Sequence, residues 1–189
     1  MDLRRALSFT AVGVLVGAAL GLVLWRGIPD DFALPEPSVG APSFTPVVAP
    51  LAGSRAPEFS ARTLDGPSIR LSELLGRAVV LNFWATWCQP CRAEMPLLDD
   101  RSRTLVERGL VVLGANFDEP EEDVRAFRDE LGLTFPLLLD PGGEIQSLYR
   151  VIGYPTTYFI DADGVIRAVH LGVMDEAQLD DYLADLGLG

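Results

Sequence analysis

The chain has 189 residues, a formal charge of -12, two cysteines and one histidine. So acidic a balance argues against nucleic-acid binding and against docking on an anionic membrane surface. Two cysteines and His170 also fall short of the ligands that structural zinc takes, so no metal site is expected.

Ala6 to Trp25 is a run without a charge, long enough at about 1.5 Å per residue to cross a hydrocarbon core of about 30 Å. Arg4 and Arg5 precede it and no small-residue cleavage site follows, which reads as an uncleaved signal anchor, a removed signal peptide being the alternative. Residues 1–5 are then expected in the cytoplasm and everything beyond residue 25 outside. Gly13, Gly17 and Gly21 share one face of this span and would let a second copy approach closely, although glycine is common in membrane helices generally. Residues 26–53, with Pro29, Pro35, Pro37, Pro42, Pro46 and Pro50, read as an extended linker.

Residues 54–189 suffice for one domain with a single core. Ala78–Trp84, Leu110–Phe117, Phe135–Leu139 and Thr156–Ile160 are near-continuous apolar runs, the pattern of strands buried on both faces. Helices are expected over Gln89–Arg108 and over Glu121–Leu131 behind Pro120. Strands alternating with helices predict a parallel α/β core. The turn Asp161-Ala162-Asp163-Gly164 joins the last run to a strand at Val165–Leu171, and a helix over Asp175–Leu186 closes the domain. The acidic run from Asp118 to Asp123 reads as a solvated helix start, and His170 as a surface or edge residue.

Both cysteines lie in Trp87-Cys88-Gln89-Pro90-Cys91, where the first long strand meets its helix. One helical turn brings the two sulfurs together. At the helix N-terminus the macrodipole favours the thiolate of Cys88, the form that exchanges disulfides, and Arg92 could add to that effect. A purely structural disulfide is the weaker reading, because so short a loop removes little unfolded-chain entropy.

The order strand, C-x-x-C helix, strand, helix, strand hairpin, helix is that of the thioredoxin fold. Val80 to Pro96 and Gly153 to Asp161 closely resemble the membrane-anchored TlpA, ResA and CcmG (DsbE) group. The resemblance implies a thioredoxin-like fold, a central mixed sheet flanked by helices, with an N-terminal extension and a central insert, preceded by one transmembrane helix. It implies that Cys88 attacks a client disulfide and Cys91 resolves the mixed disulfide. Pro155 matches the cis-proline loop, so that Trp87, Tyr154, Pro155 and Thr156 are expected to border the client. Pro96 matches the proline inside the active-site helix. Glu94 matches an acidic residue near the dithiol that helps set its proton affinities, unless it is an exposed helix residue paired with Arg101. Three positions depart from related proteins: Asn82 stands where thioredoxin has a buried aspartate, Gln89 where ResA-type members often have glutamate, and Thr156 where CcmG-type members often have glutamate.

The resemblance further implies an extracytoplasmic reductant, needing no cofactor, on the bacterial cytoplasmic membrane. Its clients would be apocytochrome c or a copper-site assembly protein, and a membrane-embedded thiol reductase would recharge it. The alternatives are a Cu(I)-carrying dithiol and a disulfide-forming oxidase or isomerase. A peroxidase would need T-x-x-C, whereas Thr86 stands two residues before Cys88.

Overall fold

The computed structural model describes residues 48–189. The span at 6–25, its glycines and most of the linker lie outside the described residues, among which no helix is long and apolar enough to cross a membrane. A five-stranded sheet carries the fold in the order β5-β4-β3-β6-β7, formed by β3 (Ala78–Trp84), β4 (Leu110–Phe117), β5 (Leu137–Asp140), β6 (Thr156–Ile160) and β7 (Ile166–Leu171). Strands β3, β4 and β5 are parallel, and β6 and β7 run antiparallel beside β3. This is the thioredoxin-like mixed sheet.

Helix α1 (Gln89–Leu105) leaves β3, α2 (Glu121–Leu131) joins β4 to β5, and α4 (Glu176–Asp185) ends the chain. Every residue of β3 is buried, because both faces of the sheet are covered. Val80 and Trp84 pack with Met95 and Leu98 of α1, Val124 and Phe127 of α2 and Leu179 and Leu183 of α4. Val79, Leu81 and Phe83 pack on the other face against Phe59, Leu71 and Tyr149. Each such aliphatic or aromatic side chain contributes about 1.5–3 kcal/mol by leaving water.

Several boundaries differ from the sequence expectations for local reasons. Strand β5 starts at Leu137 rather than Phe135 because Pro136 has no N–H to give the ladder; its carbonyl accepts from Gly114 N–H at 3.0 Å. Helix α1 ends at Leu105, and Val106–Arg108 tighten into a 3-10 turn before Gly109. The last helix begins at Glu176 because Asp175 is its N-cap, accepting from Gln178 N–H at 2.9 Å. Three short elements are additions: β1 (Ser60–Arg62) and β2 (Ser68–Arg70), paired antiparallel, and α3 (Glu144–Leu148). Residues 48–53, read as linker, are tied to the domain. Ala49 N–H bonds to Arg55 carbonyl at 3.1 Å, and Gly53 N–H to Ile166 carbonyl at 2.8 Å.

Asp140 starts α3 by accepting from Ile145 N–H and Gln146 N–H, each at 2.9 Å. The turn before it has Gly143 at φ 68°, and a Cβ there would lie 2.5 Å from Cε2 of Phe117. Gly143→Ala is therefore expected to lower stability by about 1–3 kcal/mol, from strained backbone and overpacking together. A urea unfolding midpoint equal to the wild type's would show that Phe117 moves aside without cost.

Candidate active site

Strand β3 ends at Trp84, and a tight turn, closed by Cys88 N–H to Ala85 carbonyl at 3.1 Å, delivers the chain to α1. Cys88 is the N-cap of that helix. Its Sγ accepts from Cys91 N–H at 3.2 Å, one of the donors that a helix start leaves unpaired. Pro90 fits the first turn, where a missing N–H costs nothing. A disulfide joins Cys88 to Cys91, with Cα atoms 5.3 Å apart. Both cysteines are buried, Cys88 at 4% exposure and Cys91 at 1%. The helix continues through Pro96, which leaves the Arg92 carbonyl without its i+4 donor.

Arg92 is engaged away from this motif. Its guanidinium pairs with Glu130 and lies 5.1 Å from the centre of the Phe127 ring, so its contacts are with α2 and not with a thiolate. Glu94, one turn beyond Cys91, is 2% exposed. Its Oε1 accepts from Asn82 Nδ2 at 2.8 Å and its Oε2 from Met174 N–H at 2.8 Å. Burial raises the carboxyl to about 7, and these two hydrogen bonds only partly oppose the rise. Arg101, the partner considered for an exposed Glu94, instead holds Asp100, Glu176 and Asp180 and so fastens α1 to α4.

Asn82 connects two elements. The same Nδ2 that reaches Glu94 is 2.9 Å from Thr157 Oγ1 of β6, while buried Asn82 Oδ1 has no partner among the described residues. The amide thus does what an aspartate could not at neutral pH, namely donate to a buried carboxyl.

The Tyr154–Pro155 peptide is cis. Tyr154 meets Trp87 edge-to-face at 5.6 Å between ring centres and Phe117 at 6.0 Å, and its hydroxyl bonds to Gln146 of α3. Burial, with the Asp140 and Glu119 charges, pushes the Tyr154 phenol up to about 12, so it stays a neutral donor. Thr156 is buried, and its hydroxyl donates to Gly153 carbonyl at 2.7 Å. Trp87, by contrast, is 64% exposed beside the dithiol. Cys88, Trp87 and Tyr154 are thereby gathered at one end of the sheet, with Glu94 beneath on α1. His170 lies apart on edge strand β7, its Nδ1 3.2 Å from the Tyr182 hydroxyl.

One residue at this end escaped the sequence reading. Glu119, part of the acidic run before α2, accepts from Thr86 N–H at 2.7 Å, Thr86 Oγ1 at 2.5 Å and Asn116 Nδ2 at 2.6 Å. The available signal was its place just past the carboxyl end of β4, where open parallel sheets gather their functional groups.

A thioredoxin-like sheet that carries a C-x-x-C disulfide at the corner between strand and helix defines a thiol-disulfide oxidoreductase. Comparisons with known proteins agree. The AhpC/TSA family model matches residues 52–169. The chain is 43% identical over 134 residues to the thioredoxin-like protein YneN of Bacillus subtilis, covering 69% of this chain and 78% of YneN. It is 31% identical over 183 residues to the thiol-disulfide oxidoreductase ResA of Geobacillus kaustophilus, covering 97% of each. A thiol:disulfide interchange protein of Chlorobium tepidum superposes with a TM-score of 0.65 at 30% identity, covering 76% of this chain and 97% of that one. The chain belongs to the AhpC/TSA family, as a ResA/CcmG-like thioredoxin-family oxidoreductase.

Proposed function

We propose that this chain reduces disulfides of client proteins outside the bacterial cytoplasmic membrane, to which the uncharged run at 6–25 anchors it. The observation that carries the reading is the match to a ResA along nearly the whole of both chains, including the uncharged run that precedes the domain. Cys88 as thiolate attacks one sulfur of the client disulfide, forming a mixed disulfide and releasing the client's other sulfur as a thiolate. Cys91 then attacks Cys88, releasing the second client thiolate and closing the Cys88–Cys91 disulfide. Two electrons pass to the client, and the protons of the two thiols pass to client sulfur or solvent. Glu94, within one helical turn of Cys91, supports the second attack by accepting that thiol's proton. Trp87 and Tyr154 supply an aromatic border for an extended client segment, whereas Pro155 and Thr156, expected beside it, are buried behind Tyr154. Apocytochrome c before haem attachment, or a copper-site assembly protein, is the proposed client, and a membrane-embedded thiol reductase the donor.

The reduction potential of the full chain, followed by thiol alkylation in dithiothreitol or glutathione buffers, tests the direction. A value of about -270 mV or lower is expected of a dedicated reductant. A value near about -120 mV would make the protein a disulfide donor and overturn the reading.

A further inference from the structure

Glu119 has no part in the exchange steps above, yet its contacts converge on the turn that carries Cys88. We propose that Glu119 is a positioning residue for thiol exchange, clamping Thr86 so that the turn from Ala85 holds Cys88 at the first turn of α1. The inference rests on dithiol exchange at Cys88 and is independent of the client and of the direction of electron flow.

The turn is short. Residues Ala85 to Cys88 form one hydrogen-bonded reversal, and within such a reversal the N–H of the second residue has no partner. Here that residue is Thr86, and Glu119 Oε2 takes its N–H while Oε1 takes its hydroxyl. The third donor, Asn116 Nδ2, comes from a residue 1% exposed that stands in register opposite Trp84 across β3 and β4. The carboxylate therefore links the corner of the turn to the sheet itself. Both carboxyl oxygens are engaged, Oε2 by Thr86 N–H and Asn116 Nδ2 and Oε1 by the Thr86 hydroxyl, so the side chain is held at both ends of its carboxyl group.

Position matters here because the helix N-terminus favours a thiolate only within its first turn. A turn freed at Thr86 lets Cys88 drift from the backbone donors that hold its negative charge. The charge of Glu119 acts in the opposite sense, since a nearby carboxylate disfavours a thiolate. Clamp and charge can thus be told apart by the direction of the change. Thr86 has a part in the clamp as well, and its hydroxyl can be deleted on its own.

The experiment is the pH profile of iodoacetamide alkylation of Cys88 in the reduced full chain, alongside the unfolding midpoint of each variant. Glu94, Arg92 and Glu130 remain in place in every variant. With Glu119→Ala the profile is expected to move to higher pH, with alkylation near neutral pH about fivefold slower, the scale of a first-turn interaction. Glu119→Gln, whose amide oxygen can still accept from Thr86 N–H, recovers most of that loss. Thr86→Val, which removes only the hydroxyl, shows a smaller change of the same sign and serves if Glu119→Ala does not fold. A profile unmoved in folded variants, whatever their stability, would reduce Glu119 to a structural residue and overturn the proposal. Faster alkylation in both Glu119 variants would show that its charge and not its clamp reaches Cys88, and would overturn it equally.

Discussion

Cys91→Ala retains a client on Cys88 as a mixed disulfide, whereas Cys88→Ala captures none. The asymmetry follows from the helix start. Cys88 is the N-cap residue, its sulfur held by the Cys91 N–H, while Cys91 is 1% exposed one turn inside. Only the first sulfur has both a stabilised thiolate and the exposed Trp87 beside it for docking. Removing it costs turnover on the order of 10³-fold or more, as loss of a nucleophile does. Non-reducing electrophoresis after expression of each variant reads the result directly. Equal trapping by both would mean that either sulfur can attack and that the cap geometry does not select between them. The captured protein would also name the client.

Glu94→Gln is expected to flatten the pH dependence of stability and to leave the oxidised protein more stable than wild type at pH 8. The carboxyl titrates near 7 in the folded chain because burial disfavours its charge, and near 4.5 when unfolded. Below pH 4.5 it is protonated in both states. As the pH rises from there to about 7, the unfolded chain releases the proton while the folded chain retains it, so stability falls, by about 3 kcal/mol in all. The lowered carboxyls of Asp65, Glu121 and Asp180 act only at more acid pH and do not enter this window. The amide can be accommodated: its oxygen can accept from Met174 N–H, and once the Asn82 side chain turns over its NH₂ can donate to Asn82 Oδ1, which can also accept from the Thr157 hydroxyl. Urea midpoints at pH 5 and pH 8 measure the difference. A wild-type protein equally stable at both would mean that Glu94 is ionised throughout.

Much of this architecture is legible in the chain because buried strands are written in unbroken apolar runs. The limits of β3, β4, β6 and α2 match their sequence segments residue for residue. Strands β1 and β2, three residues each, and the five-residue α3 are too short to show a period, and they exist through contacts such as Asp140 with Ile145 and Gln146. The site divides in the same way. The C-x-x-C and the proline after Tyr154 are local patterns. The surroundings of Glu94 are not, because its partners Asn82 and Met174 come from β3 and from the segment before α4. Glu119 is the sharpest case. In a run of acids it looks solvated, and only folding brings Thr86, 33 residues earlier, against it.

The attachment of residues 48–53 has a mechanical consequence. Gly53 is bonded at Ile166, which pairs with Ile160, which in turn pairs with Val79 near the start of β3. Cys88 follows the other end of that strand, and the five steps from Val79 to Trp84 span about 17 Å. Handle and blade therefore occupy opposite poles of the domain. A pull on the handle is borne by a strand edge remote from the dithiol.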